Sequence, residues 1–220
     1  GYYAAGARKF GSAGDFVTAP EMTGFFGRSL ARQVGQIMAA SAPVVLEVGA
    51  GSGRLAADLL LELEALGALP AQYVILDLSA DLRERQQETL AKAAPHLLER
   101  VQWLDQLPDD FSGVVLANEL LDAMPAHLVA WRENGIFERG VALDSEGRFT
   151  WNERPASGAL LVAAEEIGQQ CKLPSGFESE ISLSNRAWAA EWGHRLKCGA
   201  LLLLDYGFPR REFYHSQRAS

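Results

Sequence analysis

The sequence has only two cysteines, Cys171 and Cys198, far apart and forming no Cys-x-x-Cys pair. That argues against a disulfide framework, and reduced thiols in a cytoplasmic setting are the expectation. Its four histidines (His96, His127, His194 and His215) are scattered without metal-ligand spacing, so no metal is expected. Positive charge is in deficit: 20 Lys and Arg stand against 28 Asp and Glu, for a net charge of −8. A broad nucleic-acid surface needs a basic field, so no nucleic-acid partner is expected. No apolar run approaches the roughly 20 residues that a membrane-spanning helix needs. The longest, Ala200-Leu201-Leu202-Leu203-Leu204, suits a buried strand. No signal peptide is visible. A chain that opens on Gly1 and not on Met is read as a fragment of a longer one.

What is present is an apolar content of 48% over 220 residues, enough for one large domain or one domain with an insertion. Residues 1–19 are rich in Gly, Ala and aromatics and read as a loop. Thr18-Ala19-Pro20-Glu21 then has the composition of a helix start, with Thr18 as cap, Pro20 in the first turn and Glu21 at the capping-box position. Phe25, Phe26, Leu30, Val34 and Ile37 carry that helix to about Ala40. Val44–Val48, Tyr73–Asp77, Val101–Leu104 and Val114–Ala117 are short apolar runs that read as buried strands. Helical patterns separate them, over 53–66 and from Ser79 or Asp81 to an interruption near Pro95. Alternation of this kind predicts an α/β fold with a mostly parallel, doubly wound sheet and helices on both faces. After Pro125 the rhythm changes. His127–Trp131 and Ile136–Leu143 flank Asn134-Gly135, a hairpin signal, and Asp144–Gly147 is a second turn. Residues 157–170 and 182–196 read as helices, and Leu201–Tyr206 returns to a buried strand.

The stretch Leu46-Glu47-Val48-Gly49-Ala50-Gly51-Ser52-Gly53 reads as strand, tight turn and helix start. Glycines let a backbone approach a ligand closely, and a helix start offers free N–H groups. A dinucleotide fingerprint has the spacing G-x-G-x-x-G. Here the spacing is G-x-G-x-G, and Arg54 stands where the third glycine would be. Glu47, just ahead of the turn, repels phosphate and pairs with an ammonium. Those features favour S-adenosylmethionine, which carries an ammonium and a sulfonium, over a pyrophosphate. The alternative is a turn that only lets a helix pack closely on the sheet. Asp77, closing the second strand, is placed to accept from ribose hydroxyls; otherwise it is a strand-end or capping residue. Asp105, past the third strand, either accepts from the adenine amino group or is a solvated loop residue.

The fourth strand runs into Asn118-Glu119-Leu120-Leu121-Asp122-Ala123-Met124-Pro125. Ligands of open α/β sheets sit at the carboxyl ends of the strands, so these polar groups are placed to meet a methyl acceptor. A guanidinium is protonated and a poor nucleophile. Carboxylates hold its charge, localise electron density and help remove a proton. Glu119 and Asp122 share a face if this stretch is helical. The competing reading makes Asn118 and Asp122 caps of a short helix, with Glu119 in solvent.

Four segments occur together and in order: Gly14-Asp15-Phe16-Val17-Thr18-Ala19-Pro20-Glu21, Glu47–Gly53, Asn118–Pro125 and Asp205-Tyr206-Gly207. This combination resembles the MidA-like family, whose mitochondrial member is a complex I assembly factor, and it covers nearly the whole chain. The glycine motif alone is generic to methyltransferases; the first and third segments are far more specific. The resemblance implies a class I, Rossmann-like methyltransferase fold with S-adenosyl-L-methionine as cofactor. It implies protein arginine methylation, on a subunit of NADH:ubiquinone oxidoreductase near the quinone site, in the cytoplasm for a bacterial-type protein. It implies a cofactor site of Glu47, Gly49, Ala50, Gly51, Gly53, Asp77, Leu78 and Asp105, with Thr18, Pro20 and Glu21 lining the cleft. It implies Asn118, Glu119 and Asp122 as the catalytic group. Asp77-Leu78 stands where the family more often has Glu and Pro, which keeps the carboxylate and shortens its reach. The domain layout follows: residues 1–42 as N-terminal segment and helix, 43–125 as cofactor-binding half, 126–180 as an insertion carrying the hairpin, and 181–220 as return helix and strand. The last strands of the sheet are expected beyond Ser220.

Other functions compete with this one. A methyltransferase-fold assembly chaperone would bind the cofactor and need no turnover. A small-molecule methyltransferase would need a closed apolar pocket over the strand ends. A nicotinamide dehydrogenase fits least, given Arg54 and the lack of a hydride-transfer constellation.

Overall fold

The computed structural model describes residues 19–218, which fall into two compact units. The first extends to Leu120 and takes in Glu191–Asp205; the second holds Leu121–Ala190 and the segment from Tyr206. Gly14–Thr18, including the cap expected at Thr18, lie outside the described residues.

In the first unit the described chain runs α1 (Ala19–Met22), α2 (Phe25–Ala40), β1 (Val44–Val48), α3 (Arg54–Ala65), β2 (Gln72–Leu76), α4 (Ala80–Ala93), β3 (Val101–Leu104) and β4 (Phe111–Asn118). The helix α6 (Leu183–Arg195), of which the first unit takes in the part from Glu191, leads straight into β9 (Leu196–Leu204). The five strands form one parallel sheet in the order β3-β2-β1-β4-β9. The order reverses between β1 and β4. At such a switch point the connections leave in opposite directions and open a crevice at the strands' carboxyl ends.

Burial explains why these runs are strands. Val45, Leu46, Val114, Val115 and Leu116 are wholly buried, so β1 and β4 are covered on both faces, as a parallel sheet requires. Helix α2 sets Ala31, Val34 and Met38 on one stripe, and α3 sets Leu55, Leu59 and Leu63. They pack with Val45, Tyr73, Ile75, Val114 and Leu116 in one core.

Three expectations change. The helix expected from Thr18 to Ala40 is broken at Thr23-Gly24, where Thr23 Oγ1 accepts from the Phe25 N–H at 3.2 Å. A side chain at Gly24 would come within 3.2 Å of Asp58, so the break seats the chain against α3. Strand β4 starts at Phe111, earlier than expected, and ends at Asn118. The return strand begins five residues earlier, at Leu196, and stops at Leu204, leaving Asp205 and Tyr206 outside it. As expected, α4 stops before Pro95, and a 3-10 turn Pro95–Arg100 leads into β3.

The second unit contains β5 (His127–Arg132), β6 (Gly135–Leu143), β7 (Phe149–Pro155), α5 (Gly158–Cys171), β8 (Glu178–Ile181) and the short α7 (Arg210–Phe213). Its strands make an antiparallel sheet in the order β7-β6-β5-β8. The predicted hairpin is therefore the centre of a four-stranded sheet. Its turn is shifted by one residue: Arg132 pairs with Gly135, leaving Glu133 and Asn134 as the loop. One face of this sheet carries Val129 and Trp131 against Leu160, Ala164 and Ile167 of α5. The indole of Trp131 donates to the Ala164 carbonyl at 3.2 Å.

Candidate functional site

The turn Gly49–Gly53 leaves the carboxyl end of β1, beside the switch point. Gly49, Gly51 and Gly53 have φ of 71°, 54° and 81°, a region that side chains disfavour. The Gly49 N–H donates to the Leu76 carbonyl at 3.0 Å, anchoring the turn to β2, and Gly53 N–H closes it on the Ala50 carbonyl at 2.9 Å. Ala50 is buried beneath the turn.

The glycines have different reasons to be glycine. A Cβ on Gly53 would lie 2.9 Å from the Gln86 Cα, so this residue is small because α4 passes against it. Among the described residues a Cβ on Gly51 would meet nothing within 4 Å. Packing therefore explains Gly53, whereas the tip at Gly51 faces open space.

Asp77 follows β2 and is 8% exposed. Its Oδ1 accepts from the Ser79 N–H at 3.0 Å, and its Oδ2 from Gln86 Nε2 at 2.8 Å. A carboxylate has about four acceptor positions, and the described residues use two of them. Leu78, next along, is an apolar side chain left 82% exposed. Ser79 caps α4, accepting from the Leu82 N–H at 3.4 Å.

Arg83 clamps the ends of β2 and β3. Its guanidinium donates to the Asp77 carbonyl and to the Leu104 carbonyl, each at 2.6 Å. It also pairs with Asp105 at 2.7 Å. The Asp105 side chain is 87% exposed and so stands in solvent beside Arg83.

Glu47 is buried within β1 and accepts from the Tyr73 hydroxyl at 2.6 Å. Burial pushes its carboxyl up to about 7; the Tyr73 hydrogen bond opposes this, and the Asp77 charge adds to it. The Tyr73 hydroxyl is driven well above its ordinary value, by burial and then by the Glu47 charge. Glu21, in α1, accepts a hydrogen bond from Ser52 Oγ, which joins this short helix to the glycine turn. Pro20 is buried in the same helix.

The acidic segment is not helical, which corrects the picture of Glu119 and Asp122 sharing a helix face or of either end capping one. Asn118 is the last residue of β4 and pairs in register with Leu204. Glu119 follows in the left-handed region at φ 50°, its N–H donating to the Leu204 carbonyl at 2.8 Å. Asp122 is exposed, in a turn closed by the Met124 N–H on the Leu121 carbonyl at 3.2 Å, and belongs to the second unit. The left-handed residue and Pro125 at the segment's end both work against a helix.

The structure thus gathers Gly49–Gly53, Asp77, Leu78 and Glu21 around the carboxyl ends of β1 and β2. Gln86, Arg83 and Tyr73 join them without having been singled out in the sequence.

Comparison with known proteins gives the family. A family profile described as S-adenosyl-L-methionine-dependent methyltransferase matches residues 26–220. The chain belongs to that family. It is 28% identical over 229 residues to the protein arginine methyltransferase NDUFAF7, mitochondrial, of Danio rerio, covering 90% of this chain and 52% of that protein. It is 26% identical to the NDUFAF7 homolog of Caenorhabditis elegans, covering 100% of this chain and 56% of that protein. Among solved structures, one from Burkholderia thailandensis bound to S-adenosyl-homocysteine superposes with a TM-score of 0.91 at 46% identity, over 100% of this chain and 57% of that one. The chain spans little more than half the length of each of these relatives. The family's cofactor is S-adenosyl-L-methionine, and the described residues fit it: a turn tip at Gly51 that no described atom approaches within 4 Å, a buried carboxylate of which they use two acceptor positions, and an exposed apolar side chain beside it.

Proposed function

We propose that this chain is the cofactor-binding part of an S-adenosyl-L-methionine-dependent methyltransferase acting on a protein arginine, linked to assembly of respiratory complex I. The single observation that carries the cofactor half is the open space at Gly51 beside the buried Asp77 carboxylate. The arginine half rests on the names of the two NDUFAF7 relatives and on Asn118–Pro125; the complex I link rests on the motif resemblance alone. Among the described residues no helix is long and apolar enough to cross a membrane. Two free cysteines, one exposed, accord with a reducing cytoplasm.

In this reading Asp77 accepts from the ribose hydroxyls and Leu78 covers one face of the adenine. Gly49, Ala50, Gly51 and Gly53 let the backbone approach the methionyl part. Glu47, beneath the turn, disfavours phosphate and favours a cation above it in its ionised form, which burial confines to pH above about 7. Pro20 and Glu21 border the cleft, and Asp105, in solvent beside Arg83, makes at most a weak contact with the adenine edge. The cofactor supplies an electrophilic methyl carbon on a sulfonium that departs as a neutral thioether. Glu119 and Asp122 are each a carboxylate that can hold the charge of the substrate guanidinium, concentrate electron density on the attacking nitrogen and take up the proton that it loses, while Asn118 fixes the start of the segment. Alignment and charge stabilisation of this kind are the main levers available for an in-line displacement.

Glu119→Gln and Asp122→Asn are each expected to lower the rate of methyl transfer about 10²- to 10³-fold. Both should leave the affinity for S-adenosyl-homocysteine within about threefold, since neither contacts the ribose in this reading. The measurement is methylarginine, by mass spectrometry of the proteome, in cells whose only copy carries each variant, alongside calorimetric binding. Undiminished methylarginine in both variants contradicts the catalytic assignment.

A further inference from the structure

We propose that Gln86 is the positioning residue of the cofactor site, its side-chain amide holding the Asp77 carboxylate and the Gly51 peptide in the arrangement that receives a ribose. The proposal rests on Asp77 as the ribose acceptor.

Gln86 lies in the middle of α4 and is fully buried; among the α4 residues only Leu90 shares that burial. A buried amide costs free energy unless its donors and acceptor are matched. Here they are. Nε2 donates to Asp77 Oδ2 at 2.8 Å and to the Gly51 carbonyl at 3.1 Å, and Oε1 accepts from the indole Nε1 of Trp103 at 2.9 Å. An indole N–H only donates, and a carboxylate and a carbonyl only accept. The orientation of the amide therefore has a single solution, fixed by its partners.

One side chain thus ties together the turn after β1, the end of β2, β3 and α4. Glutamate at this position would set its own oxygens against Asp77 and the Gly51 carbonyl. An aliphatic residue would strand the Asp77 oxygen, the Gly51 carbonyl and the Trp103 N–H. With Gln86 in place, Asp77 is held at both oxygens, by Ser79 N–H and by Gln86, so its carboxylate plane is fixed. Its remaining acceptor positions then meet two neighbouring hydroxyls without reorganisation, the general advantage of a pre-organised site. The close passage of α4 over Gly53, where a Cβ would come within 2.9 Å of the Gln86 Cα, lets the short amide reach both targets.

The test compares S-adenosyl-homocysteine with its 2′,3′-dideoxy analogue by titration calorimetry. Wild-type chain should prefer the hydroxylated ligand by about 30-fold or more, the effect of charge-assisted hydrogen bonds. Gln86→Met should cut this preference to about threefold, by weakening S-adenosyl-homocysteine while leaving the dideoxy analogue nearly unchanged. Trp103→Phe removes the bond that orients the amide and keeps Gln86; it should lower the preference about threefold and serves should Gln86→Met not fold. Equal losses for both ligands, or an unchanged preference in both variants, would mark Gln86 as structural only and overturn the proposal. A wild-type chain without preference would instead remove Asp77 as ribose acceptor, and the proposal with it.

Discussion

Asp77→Ala weakens binding of S-adenosyl-homocysteine by about a hundredfold, the larger of the binding losses expected from any single carboxylate here. Asp77 is buried, lies at the carboxyl end of β2 next to the switch point, and keeps acceptor positions beyond those used by Ser79 and Gln86. Two ribose hydroxyls donating to an ionised carboxylate make charge-assisted bonds, and a combined loss of about 3 kcal/mol corresponds to that factor. Alanine also leaves the Ser79 N–H and one Gln86 proton without their acceptor, at a stability cost of about 1–3 kcal/mol. The thermal midpoint should therefore fall by several degrees while the chain still folds. Asp105→Ala is the companion measurement. Its carboxylate stands in solvent beside Arg83, and an exposed pair contributes about 0–1 kcal/mol. Its affinity should stay within about threefold of wild type. Calorimetric titration of both variants checks the pair; a greater loss for Asp105→Ala than for Asp77→Ala would contradict the placement of the ribose.

Gly51→Ala is expected to abolish measurable cofactor binding with only a small loss of stability. The residue has φ 54°, where a side chain costs about 1–2 kcal/mol. Among the described residues no atom lies within 4 Å of the added carbon, so the described part of the fold has room for it. The space it occupies is the space assigned to the ligand. Gly53→Ala should behave in the opposite order. There the added carbon meets the backbone of α4 at 2.9 Å, so stability falls first and binding is lost with the fold. Paired denaturation and binding curves separate the two glycines. A Gly51→Ala chain that binds S-adenosyl-homocysteine like wild type would mean that the turn serves only helix packing.

The parallel strands could be read directly because each carries its signal locally: Val44–Val48 and Val114–Ala117 are apolar on both faces, and both faces are buried. The early part of β9 gave no such signal. Cys198 is exposed and owes its strand character to pairing with Ser112 of β4, more than 80 residues away, and the exposed Lys197 is the extra residue where the register shifts. The break at Thr23-Gly24 was hidden for the reverse reason, since Phe25 and Phe26 continue a helical period across it. Strand β8 (Glu178-Ser179-Glu180-Ile181) has an almost wholly polar sequence and is held by β5. At the site, the glycine turn and Asp77 were legible because strand ends and glycines mark themselves. Gln86 was not. A polar residue within a helix reads as solvent-facing, and its partners Gly51 and Trp103 lie 35 and 17 residues away. The one hint was its place on the stripe between Leu82 and Leu90, where an apolar side chain was due. The acidic segment misled in a different way: its spacing suited a helix, whereas Glu119 at φ 50° turns the chain as it leaves β4.

The claim on which the rest depends is that a carboxylate-flanked glycine bend selects a nucleoside bearing an amino-acid ammonium over a pyrophosphate. Calorimetric titration of the chain with S-adenosyl-homocysteine and, separately, with NAD tests it most directly. The account predicts one saturable site for S-adenosyl-homocysteine and no heat of binding for NAD. Tight binding of NAD with none of S-adenosyl-homocysteine would contradict it.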